Sequence, residues 1–372
     1  MTDIFVYGTL QAAALFEAVS GKPWKAAEGA TLCGYTVRPL KGNVVPIIVA
    51  APDETVTGLF ISGVDDEQMH RLDAYEGAFG YRLLPVTVDI DGQPAQAKVY
   101  FPPEGYETLS TQWSLAEWEA EHLAPAVLAA SELFALDPLP SHARLRAMWP
   151  MIEARAWNKH RATPGPATLR YAPNDGDFAA TRVRPPAGGF FRFEDMRVKH
   201  RTFGGDMSAD MLREGFVGVD AALVLPYDPK SDKVLLVEQA RFGPFLRHDP
   251  NPWMLEPVAG IVDARETPDQ TALREAREEA GLTDLRLVPA SSFYASPGSS
   301  SEYFYTYIGL CDLPETKQYH GGLDVENEDL RLHVIDYTLA MSLVDSGEIC
   351  AGPIVFLMNW LARHRDGLRA SA

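Results

Sequence analysis

Cysteine is scarce in this 372-residue chain: Cys33, Cys311 and Cys350 are odd in number and scattered. That suits free thiols in a reducing cytoplasm better than a disulfide framework. Long apolar runs are also missing. The most apolar late stretch, Ile354 to Leu361, falls far short of the roughly 20 residues a membrane span needs. Met1 to Leu10 is interrupted by Asp3 and reads as a strand, not a secretory leader. Positive charge is in deficit, with 33 Lys and Arg against 51 Asp and Glu and a formal charge of −18. That argues against a general binder of nucleic acid or anionic membrane. Nucleotides stay open, because a metal ion and a few local arginines can meet their phosphates. Internal repeats and low-complexity tracts are absent, and a soluble cytoplasmic protein is expected.

What is present is an ordinary globular composition, 46% apolar and 23% charged, over a length that suits two domains. Asp3 to Leu10 is a β-rich run. Further strands are expected at 34–39, 44–50, 56–62, 83–90 and 97–101, separated by KGN, APDE and DGQ turns, with a short helix at 65–75 facing Met69 and Leu72 inward. This predicts one β-rich domain over 1–110. Residues 111–163 read as a helical extension. Residues 164–189, rich in Pro and Gly, read as a linker. The second domain, 190–372, is expected to hold strands at 190–203, 215–226, 233–239, 285–288, 291–295, 303–310 and 329–335, with a helix at 352–364. Strands between two helical layers give an α/β/α arrangement.

The most informative stretch is Gly260 to Leu282, GIVDARETPDQTALREAREEAGL. Thr267 suits an N-cap, Pro268 the first helical position, Gln270 a capping box and Gly281 the residue after the helix. Leu273, Ala276 and Ala280 fall on one apolar stripe, and Glu275, Glu278 and Glu279 gather on another. A Glu-rich helix face is often only solvated surface. Three carboxylates at this spacing repel, however, unless a cation sits among them, and hard divalent ions prefer oxygen ligands.

The segment resembles the Nudix hydrolase box, Gx5Ex7REUxEExGU, at every fixed position. The resemblance implies metal ligands at Glu275, Glu278 and Glu279 and the carbonyl of Ala259, with Glu266 and Arg274 as an ion pair. Outside the box, three features resemble the ADP-ribose pyrophosphatase branch. Ser296-Pro297-Gly298 followed by Glu302 is by itself a turn, but in this position Pro297 and Glu302 resemble substrate-binding residues. Val237-Glu238-Gln239-Ala240-Arg241 resembles a segment whose arginine contacts the substrate phosphate or terminal ribose, a task that suits a planar donor fork. Glu326-Asn327-Glu328 resembles the catalytic loop in which the first Glu is general base and the second joins the metals. The implied reaction is ADP-ribose and water giving AMP and ribose 5-phosphate, with Mg²⁺, or Mn²⁺ as an alternative, in a homodimer. Phe191, Phe193 and Phe203 are candidates for adenine stacking and equally for the core.

Tyr7-Gly8-Thr9-Leu10, with Leu72-Asp73-Ala74-Tyr75-Glu76-Gly77 and Tyr81 downstream, resembles the gamma-glutamylcyclotransferase-like family. The turn backbone would hold a glutamyl group and Glu76 would move the proton. Gln11 stands where that family commonly has a basic residue, so catalysis and a retained binding role are both open. Together the resemblances imply an α+β two-domain chain, with an N-terminal β-barrel-like domain and a C-terminal Nudix α/β/α sandwich. Two other readings stand beside this one. The chain could hydrolyse another nucleoside diphosphate sugar such as GDP-mannose, or it could be a sensor that binds nucleotide or glutamyl peptides without turnover.

Overall fold

The alternation of the first strand sorts its side chains to two faces. Ile4 and Val6 pack with Leu15, Phe16, Leu72 and Trp118, while Phe5 and Tyr7 pack with Leu32, Ile48, Val56, Val88 and Val99. These contacts come from a computed structural model, which describes residues 1–315, 318–322 and 329–371. It divides the chain into two units, Met1–Glu214 and Gly215–Ala372.

In the first unit, β1 (Thr2–Val6), β2 (Ala27–Pro39), β3 (Pro46–Val64), β4 (Arg82–Ile90) and β5 (Gln93–Phe101) close into a ring in the order β1-β3-β2-β4-β5, with α1 (Ala13–Ser20) and α2 (Asp66–Gly77) between strands. The strands expected at 44–50 and 56–62 are one, β3, and the expected APDE turn lies inside it. Pairing with β2 runs from Pro39↔Pro46 to Tyr35↔Ala50 and resumes from Cys33↔Thr55 to Ala27↔Ile61, so APDE, residues 51–54, bulges out of the ladder and the two expected strands are its paired halves. The register shifts between Cys33 and Tyr35, where Gly34 takes a positive φ of 84°. The helix expected at 65–75 is α2, its capping box formed by Asp65 and Gln68, with Met69 and Leu72 buried.

Two helices follow, α3 (Leu115–Leu133) and α4 (His142–Arg161). Residues 164–189, expected as a linker, contribute β6 (Phe178–Arg182) and β7 (Ala187–Gly188), which pair with β8 (Arg192–His200). A fourth strand, β9 (Met211–Val217), also pairs with β8. The reason is electrostatic. Glu132 of α3 is buried and accepts from Arg155 of α4 at 2.7 Å, and Arg192 of β8 lies 3.0 Å from the same carboxylate. An ion pair this deep is secure only with all its members present, and it ties β8 to the helices. Phe191, Phe193 and Phe203 are 47%, 53% and 99% exposed, so none is a core residue.

Among the described residues the second unit holds a nine-stranded sheet. Its long path is β14-β16-β10-β11-β18-β17, formed by β14 (Arg286–Pro289), β16 (Tyr303–Leu310), β10 (Ala221–Asp228), β11 (Lys233–Ala240), β18 (Leu330–Asp336) and β17 (Gln318–Gly321). The other three, β12 (Trp253–Glu256), β13 (Val258–Ile261) and β15 (Phe293–Tyr294), pair with β11, β10 and β16. The short α5 (Phe242–Leu246) follows β11. Strand alternation splits the core. Ala222, Val224, Leu235 and Val237 pack under α6 (Pro268–Ala280). Leu223, Leu225, Val234 and Leu236 pack under α8 (Gly352–Ala370), alongside α7 (Tyr337–Ser346).

Candidate active site

The sequence grammar of α6 is realised in full. Thr267 caps it with Gln270 in a capping box, Pro268 opens it, and Gly281 ends it at φ 67°. Its buried stripe is Ala272, Ala276 and Ala280; Leu273, expected on that stripe, is 42% exposed. Small alanines bring the helix close to β10 and β13, and that closeness places the carboxylates.

Gly260 is the first fixed position of the box. A Cβ there would overlap the carboxylate of Glu275, so only glycine lets Glu275 rest against β13. Glu279 is buried and accepts from the Ala259 N–H at 3.3 Å. Arg274 lies among the acids. Its Nη1 reaches Glu275 Oε1 at 2.6 Å and Glu278 Oε2 at 3.2 Å, while Nε and Nη2 clasp Glu266 at 2.9–3.3 Å. Hydrogen bonding to Glu266 is the first cause that raises the Arg274 pKa. Thr271 also donates to Glu266, at 2.8 Å. Burial alone would push Glu266 up, but the bonds from Arg274 and Thr271 hold it below the usual range. The expected Glu266–Arg274 ion pair is therefore present, and Thr271 is a member that sequence reading missed.

Among the described residues no three His, Cys, Asp or Glu side chains stand together as a ready-made metal cage. The donor set still fits a hard divalent cation. It consists of oxygen only, drawn from one turn of α6, with Glu275 and Glu279 against the backbone of β13 and Arg274 already bridging Glu275 and Glu278.

The strand registers bring Arg241 and Glu302 to the same end of the sheet. Ala221, where β10 begins, sits between Ile261 of β13 and Phe304 of β16. Arg241 follows β11 at that end, and Leu330 pairs there with Gly321 of β17. Arg241 Nε donates to Glu256 at 2.6 Å, leaving its side chain 42% exposed. Pro297 lies in an exposed turn closed by Ser299 N–H and Ser300 N–H onto the Ser296 carbonyl. Glu302 accepts from Ser300 Oγ at 2.9 Å and occupies the space beside Gly218 that a Cβ would need. Glu326 and Glu328 lie outside the described residues. Gly321, just before that segment, packs its backbone on the Glu279 carbonyl.

In the first unit, Gly8 to Gln11 make a tight turn after β1, and the Gln11 amide donates to the carbonyls of Tyr7 and Gly8 at 2.9 and 3.4 Å. Leu10 is buried. Glu76 stands at the end of α2, where burial pushes its pKa up to about 7. Tyr7, Tyr75, Tyr81 and Tyr100 surround it, each pushed up first by its own burial and further by the charge of Glu76. Tyr7 donates to the Tyr100 carbonyl at 3.2 Å, and Tyr100 donates to Asp73 at 2.5 Å. Glu76 and Tyr7 are thus brought together.

A family model described as NUDIX domain matches residues 218–341, and one described as Gamma-glutamyl cyclotransferase, AIG2-like, matches residues 4–120. The chain belongs to the Nudix hydrolase family and is an enzyme. It is 40% identical over 181 residues to the ADP-ribose pyrophosphatase of Escherichia coli (strain K12), covering 49% of this chain and 86% of that protein. The ADP-ribose pyrophosphatase of Haemophilus influenzae is 38% identical over 185 residues, covering 49% and 85%. A GDP-mannose pyrophosphatase of Escherichia coli O1:K1 / APEC is 28% identical over 149 residues, covering 40% and 76%. Within its family the chain thus falls in the ADP-ribose pyrophosphatase branch, fused to a gamma-glutamylcyclotransferase-like domain.

Proposed function

We propose that the second unit hydrolyses the diphosphate linkage of ADP-ribose to AMP and ribose 5-phosphate. The observation that carries this reading is Glu275 lying against Gly260 and Glu279 accepting from the Ala259 N–H, with Arg274 tying Glu278 to Glu275. These residues and the Ala259 carbonyl would hold Mg²⁺ or Mn²⁺, with Glu328 joining them. When bound, the metal polarises the phosphoryl oxygens and acidifies water. Arg274, clasped by Glu266, keeps the carboxylates aligned. Arg241 takes a phosphate or ribose hydroxyl in its planar fork, and Pro297 and Glu302 bound the sugar side. Glu326 accepts the proton of the attacking water, as the resemblance of its segment implies. A cytoplasmic homodimer completes the reading.

The GDP-mannose pyrophosphatase relative supports a second reading, in which the nucleoside diphosphate sugar is a different one. Divalent-metal-dependent turnover of ADP-ribose and GDP-mannose compared side by side decides between them, and a higher kcat/KM on GDP-mannose overturns the first. Glu279→Gln is expected to lower kcat/KM at least ~100-fold; unchanged turnover would sink the metal assignment.

For the first unit we infer a cyclotransferase-type reaction. Glu76 takes a proton from the substrate α-amine as the amine attacks its own side-chain carbonyl, then returns it to the departing amine, leaving a cyclic lactam. A carboxyl that titrates near neutral pH suits both halves of that exchange. Release of free amine from a γ-glutamyl amine, lost in Glu76→Gln, is the test.

A further inference from the structure

Helix α4 lies wholly beyond the cyclotransferase-like match, which ends at residue 120, yet it reaches each neighbour of Glu76. The His142 ring fills the space a side chain at Gly77 would need, its Cε1 and Nε2 2.6 and 2.9 Å from that Cβ position. Arg146 Nε donates to the Ala78 carbonyl at 2.9 Å. Trp149 stands edge-on to both Tyr75 and Phe79, at 5.7 and 5.2 Å between ring centres. The turn itself closes on Glu76, whose carbonyl accepts from the N–H groups of Phe79 and Tyr81 at 3.1 and 3.3 Å. Residues 75, 77, 78 and 79 are therefore each held by a side chain of α4. Edge-on aromatic pairs and a hydrogen bond to a turn carbonyl both fix geometry, and the indole also covers area that water would otherwise wet.

We propose that α4 is part of the Glu76 site: Trp149, Arg146 and His142 are positioning residues that seat the Glu76 turn, and Trp149 limits the access of water to it. The 4–120 segment alone does not make a competent site. This rests on the reading of Glu76 as the proton carrier. The charged and titratable groups around the turn are Tyr7, Tyr75, Tyr81 and Tyr100, Tyr106, which donates to the Phe79 carbonyl at 3.2 Å, Asp73 behind Tyr100, and Glu153 of α4 acting on Tyr75. His142 and Arg146 lie at the turn backbone.

The test is a ¹³C NMR titration of Glu76 in the full chain, its signal assigned by its loss in Glu76→Gln. Trp149→Ala is expected to lower the titration midpoint by about one pH unit as water enters, and Trp149→Phe to hold it. Arg146→Met is expected to displace the midpoint and Arg146→Lys to restore it; this pair decides if Trp149→Ala does not fold. Wild-type midpoints in folded Trp149→Ala and Arg146→Met overturn the proposal. A parallel assay for amine release from a γ-glutamyl amine separates the two ideas. No release by the wild type refutes the reaction, while the titration still decides whether α4 seats the turn.

Discussion

Glu76→Gln is expected to stabilise the first unit at alkaline pH and to change nothing in acid. An ordinary glutamate titrates near 4.5, and burial pushes Glu76 up to about 7. The folded chain therefore keeps this proton where the unfolded chain has released it. The stability attached to the protonated carboxyl is complete below about pH 4.5 and is lost as pH rises through about 7. At about 1.4 kcal/mol per pH unit the ceiling is about 3 kcal/mol. Glu76 is only partly buried, and solvent reaching it brings the expected effect to about 1–2 kcal/mol. Glutamine keeps the shape without the charge. In thermal melts followed by circular dichroism, with about 2–4 °C per kcal/mol for a unit of this size, the variant should melt about 2–8 °C above wild type near pH 8. The two should coincide near pH 4.5. A gap that is constant across that range, or a wild type that is the more stable near pH 8, refutes burial as the cause of the raised pKa.

Gly260→Ala places a methyl where the Glu275 carboxylate lies. It should raise the Mg²⁺ needed for half-maximal turnover about 10-fold, with Mn²⁺ binding measured by calorimetry weakened in parallel. Glu132→Ala leaves Arg155 and Arg192 buried without their carboxylate and should destabilise the first unit by about 3–5 kcal/mol, read from its urea midpoint.

Local signals were the legible ones. The caps of α6 and α2 lie within three residues of what they cap, so Thr267, Gln270, Gly281 and Asp65 announce their helices directly. The acidic stripe of the box was equally plain, because helical spacing alone gathers Glu275, Glu278 and Glu279. What depended on distant partners was not legible. Leu273 belongs to the apolar pattern, but the close approach of α6 selects Ala272 in its place. The APDE stretch reads as a turn, but it is a bulge in one long strand, because β2 pairs on both sides of it. Strand β8 reads as the opening of the second domain, and only Glu132, 60 residues earlier, shows where it packs. The roles of His142, Arg146 and Trp149 likewise depend on α4 meeting α2.

The anchoring of β8 by Glu132 bears on how such an enzyme tolerates exchange of parts. Similarity to the Escherichia coli pyrophosphatase covers 49% of this chain, about 182 residues, whereas Gly215–Ala372 supplies only 158. The segment shared with that relative therefore extends into the first unit. Shared ancestry and shared packing have different borders here. A chimera joined between Glu214 and Gly215 leaves β8 with its helices, while one joined at residue 190 carries Arg192 away from a carboxylate that has no water to turn to.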